Sequence, residues 1–253
     1  MNPGRLAGAP FFLVETMPEP GRFVLDGPEG RHASLVRRVR VGELLVLSDG
    51  SGRIAGACVT AVSRGTVEVD VEPPVNTPEP AVRVTLVQAL PKGERSELSV
   101  ELATEAGVDA LVPWAASRCV ARWSPEKSVR GTARWQTVAR EAAKQSRRSS
   151  VPPVSPLAST DTVTRLIESS SATLVLHEAG SVPITAAKLP TAGDVVLVVG
   201  PEGGISPDEL DAFTAAGAQV VRLGPEVLRT STAAAVALGA LGVLSGRWDA
   251  AAR

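Results

Sequence analysis

Short apolar stretches separated by glycine-rich turns make up the first 72 residues of the chain. β-Branched and aromatic residues cluster at residues 11–14, 22–25, 44–48, 53–59 and 66–71. Turn-forming residues lie between them, including the run Asp49-Gly50-Ser51-Gly52. Short strand patterns bounded by such turns are typical of a small β barrel or sandwich. We therefore predict an N-terminal β domain.

One stretch in this region has helical rather than strand periodicity. Ala33, Val36 and Val39 recur at helical spacing within residues 30–40, and arginines fill the opposite face. This pattern predicts a short basic helix.

Prolines mark the end of the β region. Four of them fall within the nine residues 72–80. Proline fixes φ and removes a backbone donor, so such a run favours a stiff, extended connector over the interior of a helix or strand. We place the domain boundary at residues 73–80, between a domain of residues 1–72 and a domain of residues 81–253.

Beyond the boundary, apolar strands alternate with longer helical segments. The predicted strands are 83–89, 110–114, 173–177, 195–199 and 219–223, and the predicted helices are 94–106, 131–146, 207–216 and 231–244. Fully apolar strands that alternate with helices predict an α/β domain with a mostly parallel sheet covered on both faces. Ligands of such domains bind at the carboxyl ends of the strands.

Composition agrees with two folded domains. Of the 253 residues, 44% are hydrophobic and 21% are charged, which suffices for real cores. Since neither a long apolar run nor a signal-peptide pattern occurs, we expect a cytoplasmic protein without a membrane segment. Cys58 and Cys119 fall in different predicted domains and are interpreted as buried, unpaired thiols. With two histidines and no Cys/His cluster, no metal site is expected.

Positive charge is concentrated in two places although the formal net charge is −1. Residues 118–148 hold nine basic residues against two acidic ones, Glu126 and Glu141. A second cluster is formed by Arg31, His32, Arg37, Arg38 and Arg40. Such surfaces could neutralise RNA phosphates, but solvated helix faces have the same composition. The charge pattern alone does not decide between these interpretations.

A glycine-rich loop follows the apolar strand at residues 195–199. Its sequence, Gly200-Pro201-Glu202-Gly203-Gly204, allows a ligand to approach the backbone closely. Ser206, Pro207 and Glu209 then form a capping-box pattern at the start of a helix. A second loop, residues 224–230, follows the strand at 219–223 and precedes an alanine-rich helix. The two loops are either the walls of one pocket or ordinary strand-to-helix turns.

Common nucleotide and hydrolase motifs are missing. The chain has no G-x-G-x-x-G after an early strand, no G-x-x-x-x-G-K-[ST] and no G-x-S-x-G. This argues against a Rossmann-type dinucleotide or methyltransferase site, a P-loop site and a local hydrolase triad.

Several sequence blocks carry a family resemblance that spans nearly the whole chain. They are Arg31-His32 with Val36, Arg38 and Gly42; Lys92-Gly93; Ala103-Thr104-Glu105-Ala106-Gly107-Val108; Arg118; Glu141-Ala142-Ala143-Lys144-Gln145-Ser146-Arg147-Arg148; Gly200-Pro201-Glu202-Gly203-Gly204; and Leu223-Gly224-Pro225-Glu226-Val227-Leu228-Arg229-Thr230. In these blocks the chain resembles the RsmE-type 16S ribosomal RNA uracil-N3 methyltransferases of the SPOUT class. It departs from the family's common pattern at position 231, where serine stands in place of glutamate.

The resemblance implies a specific architecture and cofactor. A small N-terminal PUA-like β barrel would precede a C-terminal SPOUT domain with a parallel sheet and a trefoil knot, a feature that pattern reasoning does not yield because knots are nearly absent from proteins. The implied cofactor is S-adenosylmethionine, the implied substrate is 16S rRNA of the 30S subunit, and the implied assembly is an obligate homodimer. The implied cofactor pocket consists of Leu176, His177, Val199, Gly200, Pro201, Glu202, Gly203, Gly204, Leu223, Gly224, Leu228, Arg229 and Thr230.

Two of these residues are candidate catalytic groups. We expect Arg229 to stabilise the uracil anion or its phosphate. Glu202 is the nearest carboxylate of the motif and would orient the base, act as general base or hold the loop. The candidate RNA contacts are Arg31, His32, Arg37, Arg38, Arg40, Arg147 and Arg148.

Two other functions fit the same residues. One is a SPOUT ribose 2′-O-methyltransferase, which would differ in the atom that gains the methyl group. The other is a non-catalytic RNA-binding assembly factor, which would keep the pocket without turnover.

Overall fold

The computed structural model describes residue 6 and residues 8–93 and 95–249, and the chain divides into two compact units. The first comprises the described residues up to Glu79 together with Ala143–Val151. The second comprises Pro80–Ala142 and the described residues from Pro152 onward. The sequence assigned 143–151 to the C-terminal domain, whereas in the structure these residues pack within the first unit. The domain bounds themselves stay a prediction.

A six-stranded sheet forms the first unit, and all five predicted strands are present in it. The strands are β1 (Phe11–Leu13), β2 (Gly21–Leu25), β3 (Leu44–Ser48), β4 (Arg53–Ser63), β5 (Thr66–Val71) and β6 (Val75–Asn76). They follow the order β1-β3-β4-β5-β2, and β6 pairs with β4. The inward side chains, among them Phe12, Leu45 and Val69, form one apolar core. Residues 73–80 were predicted to lie outside any strand. This prediction was wrong for Val75 and Asn76, which form β6 and pair with β4.

The predicted basic helix at residues 30–40 differs from the structure in bounds and type. Helix α1 (Gly27–Arg31) begins three residues earlier because Pro28 lies in its first turn. A π-helix, His32–Arg37, continues it, and the chain leaves that helix at Arg38 with a φ of +54°. Helical spacing on its own does not distinguish an α-helix from this wider turn.

Residues 143–151 are tied to the first unit by hydrogen bonds. The Ser149 carbonyl accepts from the Ser48 hydroxyl at 3.0 Å and from the Gly52 backbone N–H at 3.0 Å. The Lys144 Nζ and the Glu29 Oε1 lie 2.5 Å apart, with both side chains largely buried. These contacts join segments about a hundred residues apart in the chain, which local sequence patterns do not reveal.

The second unit is built on a parallel sheet, as predicted. Its strands are β7 (Val82–Ala89), β8 (Ala110–Trp114), β9 (Ala172–Leu176), β10 (Val182–Pro183), β11 (Gly193–Val199) and β12 (Gln219–Arg222). Their order is β10-β12-β9-β11-β7-β8, and every pairing is parallel. The carboxyl ends of β9, β11 and β12 therefore lie side by side.

Five helices accompany this sheet. They are α2 (Arg95–Glu105), α3 (Pro125–Gln145), α4 (Thr160–Ser169), α5 (Pro207–Ala215) and α6 (Thr230–Leu244). The prediction of a helix at 94–106 is confirmed apart from its ends, and Glu94 lies outside the described residues. Helix α3 starts six residues before the predicted position. Helix α4 was not predicted, because its serines and threonines hide the apolar pair Val163 and Ile167.

The two cysteines differ in burial. Cys119 is buried, and desolvation by burial raises the pKa of its thiol, whereas Cys58 is only half-buried, contrary to expectation. Within the described part of the chain, His, Cys, Asp and Glu side chains form no group of three that could hold a metal ion. Across residues 8–93 and 95–249, every helix is too short or too polar to span a membrane.

Candidate active site

A cavity of about 770 Å³ opens where β9, β11 and β12 end. Its walls are the segments that follow these three strands, together with the start of α6. The structure brings together in this cavity every residue predicted for the cofactor pocket: Leu176, His177, Val199, Gly200, Pro201, Glu202, Gly203, Gly204, Leu223, Gly224, Leu228, Arg229 and Thr230.

The loop after β11 has a tight and specified conformation. A Cβ at Gly200 would lie 2.7 Å from the Ile205 Cγ1, so a side chain there would displace Ile205. Gly204 has a φ of +73°, which favours glycine, and its N–H donates to the Pro201 carbonyl at 2.9 Å. The predicted capping box of Ser206 and Glu209 is present at the start of α5. Backbone geometry and helix capping therefore set the shape of this wall.

Glu209 has a second role that its capping position does not reveal. Its carboxylate accepts from the backbone N–H and hydroxyl of Ser117, from the Thr160 hydroxyl, and from the backbone N–H and hydroxyl of Ser206, at 2.7–3.2 Å. Burial would raise the pKa of Glu209, but these hydrogen bonds outweigh burial and lower it. The buried carboxylate thus joins α5 to the end of β8 and the start of α4.

A buried hydrogen-bond chain connects the glycine-rich loop after β11 with the loop at residues 224–230. The Gln88 Nε2 donates to the Thr230 Oγ1 at 3.1 Å, and the Thr230 hydroxyl donates to the Gly200 carbonyl at 2.5 Å. Gln88 is 1% exposed, and its Oε1 has no partner among the described atoms. Gln88 was not among the residues predicted for the cavity. Its position near the carboxyl end of β7 could have indicated it, because ligands bind at the carboxyl ends of parallel strands.

Arg229 lies at the junction of the second loop and α6. It is the N-cap of α6, and its carbonyl accepts from the N–H groups of Thr232 and Ala233 at 2.9 Å. Its side chain is exposed on the cavity wall. Ser231, which stands where the family commonly has glutamate, is 2% exposed. No carboxylate therefore faces the cavity from this position.

Glu202 is engaged in holding its loop. Its Oε1 accepts from the backbone N–H of Lys92 at 3.2 Å, which ties the loop after β11 to the loop after β7. The side chain is exposed at the cavity. Of the roles considered from sequence, this contact favours loop positioning.

Three further arginines, Arg95, Arg118 and Arg222, line the cavity without having been predicted for it. Arg118 follows β8, and its Nη1 donates to the Gly203 carbonyl at 3.4 Å, while Arg95 begins α2. Both follow strands of the parallel sheet at the carboxyl edge, which could have indicated them. Among the described residues, the lining holds four arginines and four acids: Arg95, Arg118, Arg222, Arg229, Glu178, Glu202, Asp211 and Glu226.

The candidate RNA contacts lie in the first unit, and most are accessible. Exposed side chains belong to Arg31, Arg37, Arg38, Arg40 and Arg147. His32 is half-buried, and its ring meets that of Phe12 edge-on at 5.8 Å. Arg148 is 8% exposed, so it is poorly placed for a phosphate contact, contrary to expectation.

A second, smaller cavity lies among these residues. Its volume is about 240 Å³, and it is lined by Pro10, Phe11, Phe12, His32, Arg37, Lys144, Gln145 and Arg147. Within residues 8–93 and 95–249 the lining contains three cationic side chains and no acidic one, in contrast to the balanced charges of the large cavity. We call it the basic cavity.

Comparison with known proteins covers both units. Residues 77–242 match the family model of an RNA methyltransferase domain, and residues 25–72 match that of an RNA methyltransferase PUA domain. The chain is 53% identical to ribosomal RNA small subunit methyltransferase E of Mycobacterium bovis, over 96% of this chain and 95% of that protein. These matches confirm the predicted resemblance and the combination of a PUA-like domain with a methyltransferase domain.

Solved structures give the same result. A ribosomal RNA small subunit methyltransferase E from Neisseria gonorrhoeae, bound to S-adenosyl methionine, is 29% identical with a TM-score of 0.79, over 93% of this chain and 98% of that one. A methyltransferase from Legionella pneumophila, in complex with the cofactor SAM, is 29% identical with a TM-score of 0.78, over 93% and 97% of the two chains. The α/β fold with a parallel sheet is thereby confirmed.

Proposed function

Because the chain belongs to the family of RNA methyltransferases that includes ribosomal RNA small subunit methyltransferase E, we propose that it methylates N3 of a uracil in 16S rRNA with S-adenosylmethionine as methyl donor. The observation that carries this proposal is the convergence of the glycine-rich loop at residues 200–204 and the loop at residues 224–230 on one cavity. Its volume of about 770 Å³ falls within the range of small-molecule sites, roughly 300–1,000 Å³. The chain would bind this substrate in the cytoplasm, where small subunits assemble.

The residues of the cavity fit the proposed cofactor. Apolar side chains of Leu176, Val199 and Leu223 stand beside the glycine-rich backbone, so a mostly neutral surface is available for an adenosine group. The charged residues of the lining can pair with an amino-acid moiety. Backbone groups of the loops at 199–204 and 223–230 would therefore hold the donor, with Leu176 and His177 on the third side.

The chemistry places specific demands on the chain. Methylation at N3 requires that the uracil lose its N3 proton and be held in line with the methyl group, so positioning and electrostatics supply most of the rate. When bound, S-adenosylmethionine supplies that methyl group as a sulfonium electrophile. The Arg229 guanidinium is permanently charged and exposed on the cavity wall. We assign to it the stabilisation of the uracil anion, whose proton leaves to solvent water.

Glu202 takes a positioning role in this scheme. Its contact with the Lys92 N–H fixes the loop after β11, and the Arg118 contact with the Gly203 carbonyl restrains the same loop. Proton abstraction by Glu202 is not needed once Arg229 lowers the cost of the anion.

Recognition of the RNA is assigned to the first unit. N3 of a paired uracil is blocked, so the target must be unpaired or flipped out. Aromatic residues make up 3% of the chain, so contacts to phosphates should outweigh base stacking. The contact set is Arg31, His32, Arg37, Arg38, Arg40 and Arg147, without the buried Arg148.

Apolar side chains on the last helix support association into a homodimer. Val236, Val243 and Leu244 of α6 are exposed, as is Trp248 just beyond it, and α2, which packs against α6, exposes Leu98. Large exposed apolar patches mark interaction surfaces, and these side chains lie on two helices that pack together and just beyond them. Light scattering should give twice the mass of the chain, and a monomer at micromolar concentration would contradict the dimer.

The test of the function is direct. The purified chain would be incubated with labelled S-adenosylmethionine and 30S subunits from a strain that lacks it, followed by mass analysis of the digested nucleosides. Label on uracil N3 is the expected result. Label on a ribose 2′ oxygen would identify the 2′-O-methyltransferase instead. Cofactor binding without any transfer would favour the assembly factor, in which the pocket is kept for another purpose.

Thr230→Val should weaken cofactor binding about tenfold. Valine keeps the shape of threonine but removes the hydroxyl that joins Gln88 to Gly200. The Gln88 Nε2 then keeps only its bond to the Ala89 carbonyl, and the Gly200 carbonyl loses its donor, which uncouples the two loops. Calorimetric titration with S-adenosylmethionine measures the effect. The control is Thr214→Val, because the exposed Thr214 hydroxyl bonds only the Leu210 carbonyl within α5. Equal affinities of the two variants for S-adenosylmethionine would show that the hydrogen-bond chain does not contribute to cofactor binding.

A further inference from the structure

We propose that the basic cavity is a dedicated binding pocket for one phosphate group of the RNA substrate, and that Arg147 is kept for this purpose against the conformational preference of its backbone. The inference rests on the proposed RNA substrate and deepens it. Its basic lining residues come from two chain segments, the π-helix at residues 32–37 and residues 144–147 at the end of α3 and in the turn after it, and residues 10–12 complete the wall.

Charge and size identify the ligand class. Arg37, Lys144 and Arg147 converge on the cavity with the imidazole of His32, and none of the described residues that line it is acidic. Lys144 is fixed by its ion pair with Glu29. Among the described residues, Arg37 and Arg147 form no ion pair and no side-chain hydrogen bond, so their donors are available. At about 240 Å³ the cavity is smaller than the usual site for a whole cofactor but can take one phosphate of a polymer.

Backbone conformation supplies a second, independent observation. Among the described residues, the two non-glycine residues with positive φ are Arg38, at +54°, and Arg147, at +55°. Both lie at helix ends. After α3, the Arg147 N–H donates to the Lys144 carbonyl at 3.1 Å and the Arg148 N–H to the Ala143 carbonyl at 2.8 Å, the pattern of a Schellman motif.

Glycine is the residue that stability favours at this position of the motif. An L-residue in the left-handed region is strained, and such strain persists where function requires the side chain. Arginine at position 147 therefore indicates selection for its guanidinium. The π-helix that carries His32 and Arg37 supports the same conclusion, because π-helical turns are rare and are enriched at functional sites.

Stability favours glycine at position 147, whereas phosphate binding favours arginine, so the two effects can be tested with one substitution. Arg147→Gly removes the guanidinium while relieving the backbone, so the melting temperature should be unchanged or higher. Affinity for a 16S rRNA transcript should fall about tenfold, as for the loss of one charge-assisted contact. The slope of log affinity against log salt should drop by about one.

Three companion variants complete the experiment. Arg147→Lys keeps the charge and should retain most of the affinity. Arg37→Ala, which changes the other segment, should lower the affinity and the salt slope as Arg147→Gly does. The control is Arg22→Ala, which removes an exposed arginine of the same unit that is paired with Glu68 and lines neither cavity. Its affinity should stay within about twofold of the wild type.

The possible failures are distinguishable. If the wild type binds and methylates 16S rRNA while Arg147→Gly keeps the affinity and the salt slope of the Arg22→Ala control, the phosphate pocket is refuted and the methyltransferase function stands. If the wild type neither binds nor methylates the RNA, the proposed function fails and the pocket proposal fails with it.

Discussion

Arg229→Ala should reduce the rate of methyl transfer to 30S subunits by about a hundredfold or more, with the affinity for S-adenosylmethionine within about threefold of the wild type. The magnitude is that of removing one donor that stabilises developing negative charge in a preorganised site. Arg229 lines the cavity with an exposed guanidinium, while its backbone caps α6 in a way that alanine can reproduce. Single-turnover methylation and calorimetry measure the two quantities separately.

The controls for Arg229 separate charge from geometry. Arg229→Lys keeps the charge but loses the planar pair of donors, so it should lie between the alanine variant and the wild type. Arg165→Ala removes an exposed arginine on α4 that lines neither cavity, and it should have the wild-type rate. Unchanged transfer by Arg229→Ala with normal cofactor binding would remove Arg229 from the mechanism.

Much of the proposed cofactor site could be predicted from sequence, because short-range sequence patterns specify its loops. The strand at 195–199, the glycine-rich loop and the capping box lie within fifteen residues, and each is set by neighbours in the chain. Parallel strands also place the ends of β9, β11 and β12 at one edge. Hence the loops at 200–204 and 224–230 could be expected to meet.

Features that depend on distant contacts could not be predicted in this way. Gln88 is an ordinary strand residue in the sequence, and its bond to Thr230 spans 142 positions. The turn after α3 joins the first unit through contacts with Ser48 and Glu29. Consequently, the two basic clusters were predicted as separate surfaces, whereas the structure places Arg37 and Arg147 in the lining of one cavity.

Glu209 was predicted only as part of a capping box, but its hydrogen bonds extend beyond α5. The capping box accounts for its bonds to Ser206, but the same carboxylate also accepts from Ser117, the residue before Arg118, and from Thr160 at the start of α4. Helix α4, helix α5 and the segment after β8 therefore depend on one buried negative charge. We therefore expect loss of that charge to lower the free energy of unfolding.

Glu209→Gln should lower the free energy of unfolding by about 2–3 kcal/mol at neutral pH, because the isosteric amide replaces one carboxylate oxygen by an NH2 group, which then faces the backbone N–H of either Ser117 or Ser206 as a second donor. For a chain of this size, about 5–10 °C in melting temperature is expected. The control is Asp208→Asn, an exposed first-turn acid of α5. An equal shift in both variants would mean that loss of negative charge at the helix start, and not the buried network, is what matters.

The difference in free energy of unfolding between the wild type and Glu209→Gln should depend on pH, which provides a second test. Hydrogen bonds lower the pKa of Glu209 in the folded chain below its ordinary value of 4.5, so its stabilising contribution is fully present above that value. As the pH falls through the lowered pKa, the wild type gains a proton on Glu209 and loses the contribution, whereas the glutamine variant has no such group. The stability gap should therefore be constant from pH 8 to about pH 6 and narrow below about pH 4.5. Denaturant unfolding of both proteins across this range measures the gap, and a gap that widened on acidification would contradict a lowered pKa.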